Sequence, residues 1–190
     1  MYELRVTGFG GQGVIRTGMI IGKALSLFGG MHATLTQSFG PEARGSACSA
    51  QVIIDEEPIT YPYITGTDFL IAMSQGGYDK NVGNLRDNGT LIIEKDLVVT
   101  DPEIKRSTFA VPATRIAEDL GVRIAGNLVM IGFFVAVTGL CEIDAVKSAI
   151  PGTVPDRFLE LNLRALQEGY DYGVKEYGVA AALSAGEAVK

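Results

Sequence analysis

The sequence predicts an α/β domain built on a single open, mostly parallel sheet with helices on both faces. Three observations carry that reading. The chain opens with an apolar stretch, Tyr2 to Val6, that runs into Gly8-Phe9-Gly10-Gly11-Gln12-Gly13 and then into an amphipathic pattern, the order of strand, glycine turn and helix that begins such domains. Short, nearly continuous apolar runs follow at Ala50 to Ile54, Asp68 to Met73, Thr90 to Ile93 and Thr108 to Val111, as expected of strands covered on both sides. Helical or turn segments separate them.

The first helix is expected from Val14 to Phe28, with Val14, Gly18, Ile21, Leu25 and Phe28 on one buried face. Gly18 and Gly22 would each cost that helix up to about 1 kcal/mol relative to Ala, so they predict close backbone packing on the sheet. Met31 to Ser38 forms the second strand, and Asp55-Glu56-Glu57-Pro58 reads as a turn with its acids in water. Leu128 to Val137 is uncharged and mostly apolar. A membrane span needs about 20 such residues, so this segment reads as a helix buried on nearly all sides, in the core or against another subunit. After Pro155, a stripe of Leu159, Leu163, Leu166, Tyr170, Val174 and Tyr177 predicts a long helix lying across the domain. Periodicity fades from Gly178, so the expected division is one domain over residues 1–177 and a flexible tail over 178–190.

With 190 residues, 47% of them hydrophobic and 20% charged, the chain has the composition of one globular domain. Its formal net charge of −6 argues against nonspecific binding to nucleic acid or anionic membranes. The start carries no secretory-signal pattern, and a cytoplasmic location is expected. Cys48 and Cys141 are far apart, so this chain cannot alone supply the four thiolates of an ordinary iron–sulfur cluster. His32 is the only histidine, which leaves no imidazole pair for zinc and no evident triad base. Within its strand pattern it reads as a structural residue.

A glycine turn lets backbone N–H groups at a helix N-terminus approach an anion or a packed neighbour closely. No Lys-Ser or Lys-Thr pair follows the glycines, which excludes a P-loop. A dinucleotide fingerprint wants an acid closing the second strand, whereas Met31 to Ser38 has none and the first acid beyond is Glu42. A tight strand-to-helix connection remains open beside an anion-contacting role. The other unusual segment runs from Thr36 to Val52, where a loop punctuated by Gly40-Pro41 and Gly45 presents Glu42 and Arg44 between two strands of the expected parallel sheet. Loops at that edge are where α/β domains place ligand and partner contacts; the plain alternative is a solvated pair worth less than about 1 kcal/mol.

Here the chain resembles the gamma subunit, or gamma domain, of the 2-oxoacid:ferredoxin oxidoreductases. The motifs are Gly8-Phe9-Gly10-Gly11-Gln12-Gly13, Ser38-Phe39-Gly40-Pro41-Glu42-Ala43-Arg44-Gly45, Pro112-Ala113-Thr114-Arg115-Ile116-Ala117 and Asn127-Leu128-Val129-Met130-Ile131-Gly132, in the family's order. A closing helix with Asn162, Ala165 and Gly169 extends the likeness to most of the chain. Ser46 departs from the pattern, standing where the family often has a second glycine. The resemblance implies a Rossmann-like fold and a complex that converts a 2-oxoacid and coenzyme A to acyl-CoA and carbon dioxide, reducing ferredoxin. It also implies that thiamine diphosphate is held by alpha and beta parts, and iron–sulfur clusters by beta or a ferredoxin-like delta part. This chain would then be an accessory module with no catalytic or metal-ligating residue of its own. Gly10, Gly11 and Gly13 of the turn, with Glu42, Arg44 and Gly45 of the loop, are its candidates to face coenzyme A or a partner. The compact loop is most similar to the 2-oxoglutarate branch, with pyruvate, branched-chain 2-oxoacid and indolepyruvate enzymes as competing assignments. The reading from another class is a free-standing nucleotide-binding or redox-sensing domain using the same turn.

Overall fold

A computed structural model describes residues 1–39 and 47–182. Strands β1 (Tyr2–Phe9), β2 (His32–Phe39), β3 (Ala47–Asp55), β4 (Thr67–Ala72), β5 (Leu85–Glu94) and β6 (Ser107–Val111) form one sheet in the order β2-β3-β1-β4-β5-β6. Pairs β1–β4, β4–β5 and β5–β6 are parallel, while β3 runs antiparallel to both β1 and β2. The open, mostly parallel sheet is therefore as expected, with one correction. The loop after Phe39 does not join two parallel strands; β2 and β3 are an antiparallel pair at the sheet edge.

Helices α1 (Val14–Leu27), α3 (Ala113–Asp119), α4 (Gly126–Thr138), α5 (Ile143–Ala149) and α6 (Leu159–Tyr177) share the larger core with one face of the sheet. On the opposite face α2 (Gln75–Asn81) supplies Tyr78 to a smaller cluster with Leu70, Ala72, Leu91, Ile93 and Val98. Over β1 and β3 this second face turns polar, carrying Glu3, Arg5 and Thr7 beside Ser49 and Gln51. That one-sided polarity is what an antiparallel edge permits.

Helix α1 lies where its glycines predict: a Cβ on Gly18 would come within 2.7 Å of the Ala50 Cβ. Val14, Gly18, Ile21 and Leu25 are buried, but Phe28 caps the helix and is 49% exposed, because the chain is already turning away from the sheet. In α4 every residue from Asn127 to Thr138 is buried, and the cover comes from this chain itself. Helix α6 seats its small residues there, with Asn162, Ala165, Leu166, Gly169 and Gly173 the buried set. The expected stripe is thus displaced: Leu159, Leu163 and Tyr170 flank the contact, half-buried. His32 is exposed on the edge strand. The first residues after Gly178 are held to the body, since the Ala180 N–H donates to the Ala136 carbonyl at 2.8 Å and Ala182 is buried. No helix among the described residues is long and apolar enough to cross a membrane.

Candidate functional site at the glycine turn

The turn after β1 is held by its own glutamine. Gln12 Oε1 accepts from the Phe9 N–H at 2.7 Å, and Gln12 Nε2 donates to the Met73 carbonyl at 2.7 Å. This ties the glycine turn to the carboxyl end of β4, across the point where chain connections leave β1 in one direction and β4 in the other. Gly13 begins α1 in the left-handed region, φ 77°, and a Cβ there would sit 2.9 Å from the Asn127 amide. Gly11, at φ 102°, meets open space, so backbone conformation rather than crowding requires glycine there. Gly10 and Gly11 are both exposed.

Beside the turn opens a cavity of about 360 Å³. Gly11, Gln12 and Met73 form one wall; Glu94 at the end of β5 and Thr114 of α3 form another; Asn127 at the start of α4 closes it. Asn127 is buried and its Nδ2 has no hydrogen-bond partner among the described residues, a donor left without an acceptor where burial makes that costly. Glu94 is also buried, its oxygens accepting from the Thr114 N–H at 3.2 Å and the Asp96 N–H at 2.9 Å. Burial pushes the Glu94 carboxyl above the ordinary range, against the pull of these N–H groups. At the mouth, Arg123 makes an exposed pair with Glu118 at 3.4 Å, its one ion pair among the described residues, and Ile124 is 77% exposed. The cavity thus combines a glycine turn, an unsatisfied amide donor, a buried carboxyl acceptor and a loosely held cation.

Glu42, Arg44 and Gly45 lie outside the described residues. The strand ends on either side of them are placed, however: Ala47 pairs with Phe9, and Phe39 pairs with Cys48. Both ends of that loop therefore leave the sheet at the edge that carries the glycine turn. Glu94 and Arg123 were not singled out from the sequence. Glu94 closes β5, and in the sequence Glu94-Lys95-Asp96 looks like an ordinary charged turn after the apolar run Thr90 to Ile93. Asn127 had a signal, as the polar residue opening the apolar segment. Burial raises the Cys48 thiol, and burial reinforced by Glu142 raises Cys141 to about 11, so both stay protonated at neutral pH. Among the described residues no group of three or more His, Cys, Asp or Glu side chains could hold a metal ion.

Residues 3–172 match the model of the pyruvate ferredoxin/flavodoxin oxidoreductase family. The 2-oxoglutarate synthase subunit KorC of Methanothermobacter marburgensis is 43% identical over 174 residues, covering 88% of this chain and 94% of that one. KorC of Methanocaldococcus jannaschii is 40% identical over 172 residues, covering 89% and 92%. Among solved structures, the gamma subunit of keto/oxoacid ferredoxin oxidoreductase from Geobacter sulfurreducens PCA superposes with a TM-score of 0.81 at 36% identity, over 92% of this chain and 99% of that one. With a family model matched over residues 3–172, and with relatives and a solved fold matched over most of both chains, the chain belongs to the pyruvate ferredoxin/flavodoxin oxidoreductase family.

Proposed function

We propose that this chain is the gamma subunit of a 2-oxoglutarate:ferredoxin oxidoreductase, acting without bond-breaking residues of its own. The observation that carries this is the extent of the likeness: two 2-oxoglutarate synthase subunits and one gamma subunit are each matched over more than nine-tenths of their length. A shared nucleotide-binding module inside an unrelated protein would leave much of each relative unmatched, which disfavours the free-standing reading. The donor set here fits neither thiamine diphosphate with its cation nor an iron–sulfur cluster, since two cysteines cannot supply four thiolates and no group of three or more His, Cys, Asp or Glu among the described residues could hold a metal ion. Those groups belong to alpha, beta and delta partners, where thiamine supplies the decarboxylation chemistry.

The role of this chain is to shape the coenzyme A approach. Gly11 faces open space at the turn, Gly10 beside it is exposed, Gly13 lets Asn127 pack close, and Asn127 Nδ2 offers a donor with no competing partner among the described residues. Glu42, Arg44 and Gly45 fall in the sequence between Phe39 and Ala47, strand ends described beside the turn, and we assign them to the same role. The test is to purify the tagged chain with its native partners and to compare Asn127→Ala and Arg44→Ala complexes with wild type. Partners carrying thiamine and iron–sulfur should co-purify, and each variant should raise the apparent KM for coenzyme A by roughly tenfold, about 1.4 kcal/mol of lost binding. Purification without such partners, or unchanged KM in both variants, would refute the reading.

A further inference from the structure

The polar side of the sheet holds a second site, built around Arg5. Arg5 stands on the central strand β1 with Gln51 opposite it on β3 and Thr36 next in line on β2. Its guanidinium is half-buried. Nη1 donates to Asn81 Oδ1 at 3.1 Å, Nε is buried without a partner, and the side chain pairs with no carboxylate among the described residues. Two residues earlier the same strand shows the contrasting case: Glu3 meets Arg86 at 2.7 Å, and Arg86 also meets Asp68 at 2.6 Å. Among the described residues the sheet face therefore supplies two acids to one cation and none to the other. Desolvating a guanidinium without a counter-ion is costly, and Arg does not escape by losing its proton; burial here lowers its affinity for that proton with no opposing charge to restore it.

Around Arg5 lies a cleft of about 110 Å³ that includes Thr7, Ser38, Ser49, Lys80 and Asn81. Lys80 is a second, exposed cation on α2, next to the Asn81 that holds Arg5. Asn81 is fixed in turn, its Nδ2 donating to Thr7 Oγ1 at 3.2 Å and to the Gly77 carbonyl at 2.8 Å. Two cations and three hydroxyls in a volume of that size suit one oxyanion, and are too small for a nucleotide. They also concentrate positive charge on a chain of net charge −6.

We propose that the Arg5–Lys80 cleft binds a single oxyanion of phosphate or carboxylate size, held by the guanidinium and the ammonium and oriented by Ser49 and Ser38. The source is either a free anion or an acidic side chain of a neighbouring subunit. Titration of the purified full chain with inorganic phosphate and, separately, acetate, followed by the shift of the Arg5 Nε–H resonance and by melting temperature, tests the first source. Saturable binding that weakens at least tenfold in Arg5→Met and several-fold in Lys80→Ala supports it. The second source predicts no such binding by the isolated chain, but loss of assembly with native partners in both variants. Lys80 is exposed, so its variant keeps the test decisive if Arg5→Met fails to fold. Anion binding and assembly both unchanged in Lys80→Ala, or in a folded Arg5→Met, would overturn the proposal. The phosphate titration is independent of whether coenzyme A binds at the glycine turn, so the two readings fail separately.

Discussion

Glu3 and Glu94 are both buried at strand ends, yet their surroundings move their protonation in opposite directions. For Glu3 burial opposes ionisation, but the N–H groups of Thr65 and Gly66, the Thr65 hydroxyl and Arg86 together hold the carboxyl below the ordinary range. Its stabilising contribution is present above the unfolded pKa and is lost as pH falls through the folded one. Glu94 is the reverse case. With its folded pKa raised, its contribution is present below the unfolded pKa and is lost as pH rises through the folded value. Melting curves of Glu3→Gln and Glu94→Gln at about pH 4.5 and about pH 7.5 should separate them. The Glu3 variant should lose more at the higher pH, about 2 kcal/mol after allowing for the partial exposure of Arg86. The Glu94 variant should lose more at the lower pH.

Helix α4 has almost no amphipathic signal of its own, so its orientation is set by what its neighbours leave vacant. A Cβ on Gly132 would strike the Leu166 carbonyl and the Tyr170 N–H, and one on Gly169 would strike the Val129 backbone. Backbone therefore lies directly against backbone, and rigid main chain cannot give way as a side chain tip can. Gly169→Ala should gain up to about 1 kcal/mol in helix propensity and still lose about 3 kcal/mol overall through overpacking. Denaturant unfolding would measure it. A neutral or stabilising outcome would mean that α4 and α6 can separate without penalty. Gly173→Ala, which meets the Ala136 Cβ at 2.7 Å rather than main chain, should cost less.

Apolar side chains collect on the outside of the molecule around the glycine-turn cavity. Ile124 at its mouth is 77% exposed, Leu97, which lines it, is also exposed, and Val99, two residues beyond Leu97 in the chain, is 79% exposed. Exposed apolar surface gathered beside a cleft is characteristic of a surface that another chain covers. Substituting Val99→Asp or Ile124→Asp should change the stability of the isolated chain by less than about 0.5 kcal/mol. Co-elution with the native partners should nevertheless be lost. Retained co-elution in both variants would place the partner contact elsewhere on the chain.

The local pattern alone was enough for the elements that signal themselves along the chain: the Tyr2 start of β1, the Gly8 to Gly13 turn, the α1 face from Val14 to Leu25, and the apolar run Leu128 to Val137 of α4. Such features depend on neighbours a few residues away, so periodicity and the absence of a Cβ reveal them. Strand order and direction are long-range choices. Nothing near Phe39 or Ala47 announces that β3 returns antiparallel between β2 and β1. The site shows the same division. The turn was legible because glycines at φ 77° and 102° leave a compositional trace, whereas Glu94 becomes part of a cavity only because β5 ends beside α3 and α4. Arg5 looks like an ordinary charged residue in a strand until the sheet places it in line with Gln51 and Thr36 and beside Asn81, paired with no described acid. Burial and pairing are properties of the assembled fold, and for Glu94, Asn127 and Arg5 they were decided by tertiary structure alone.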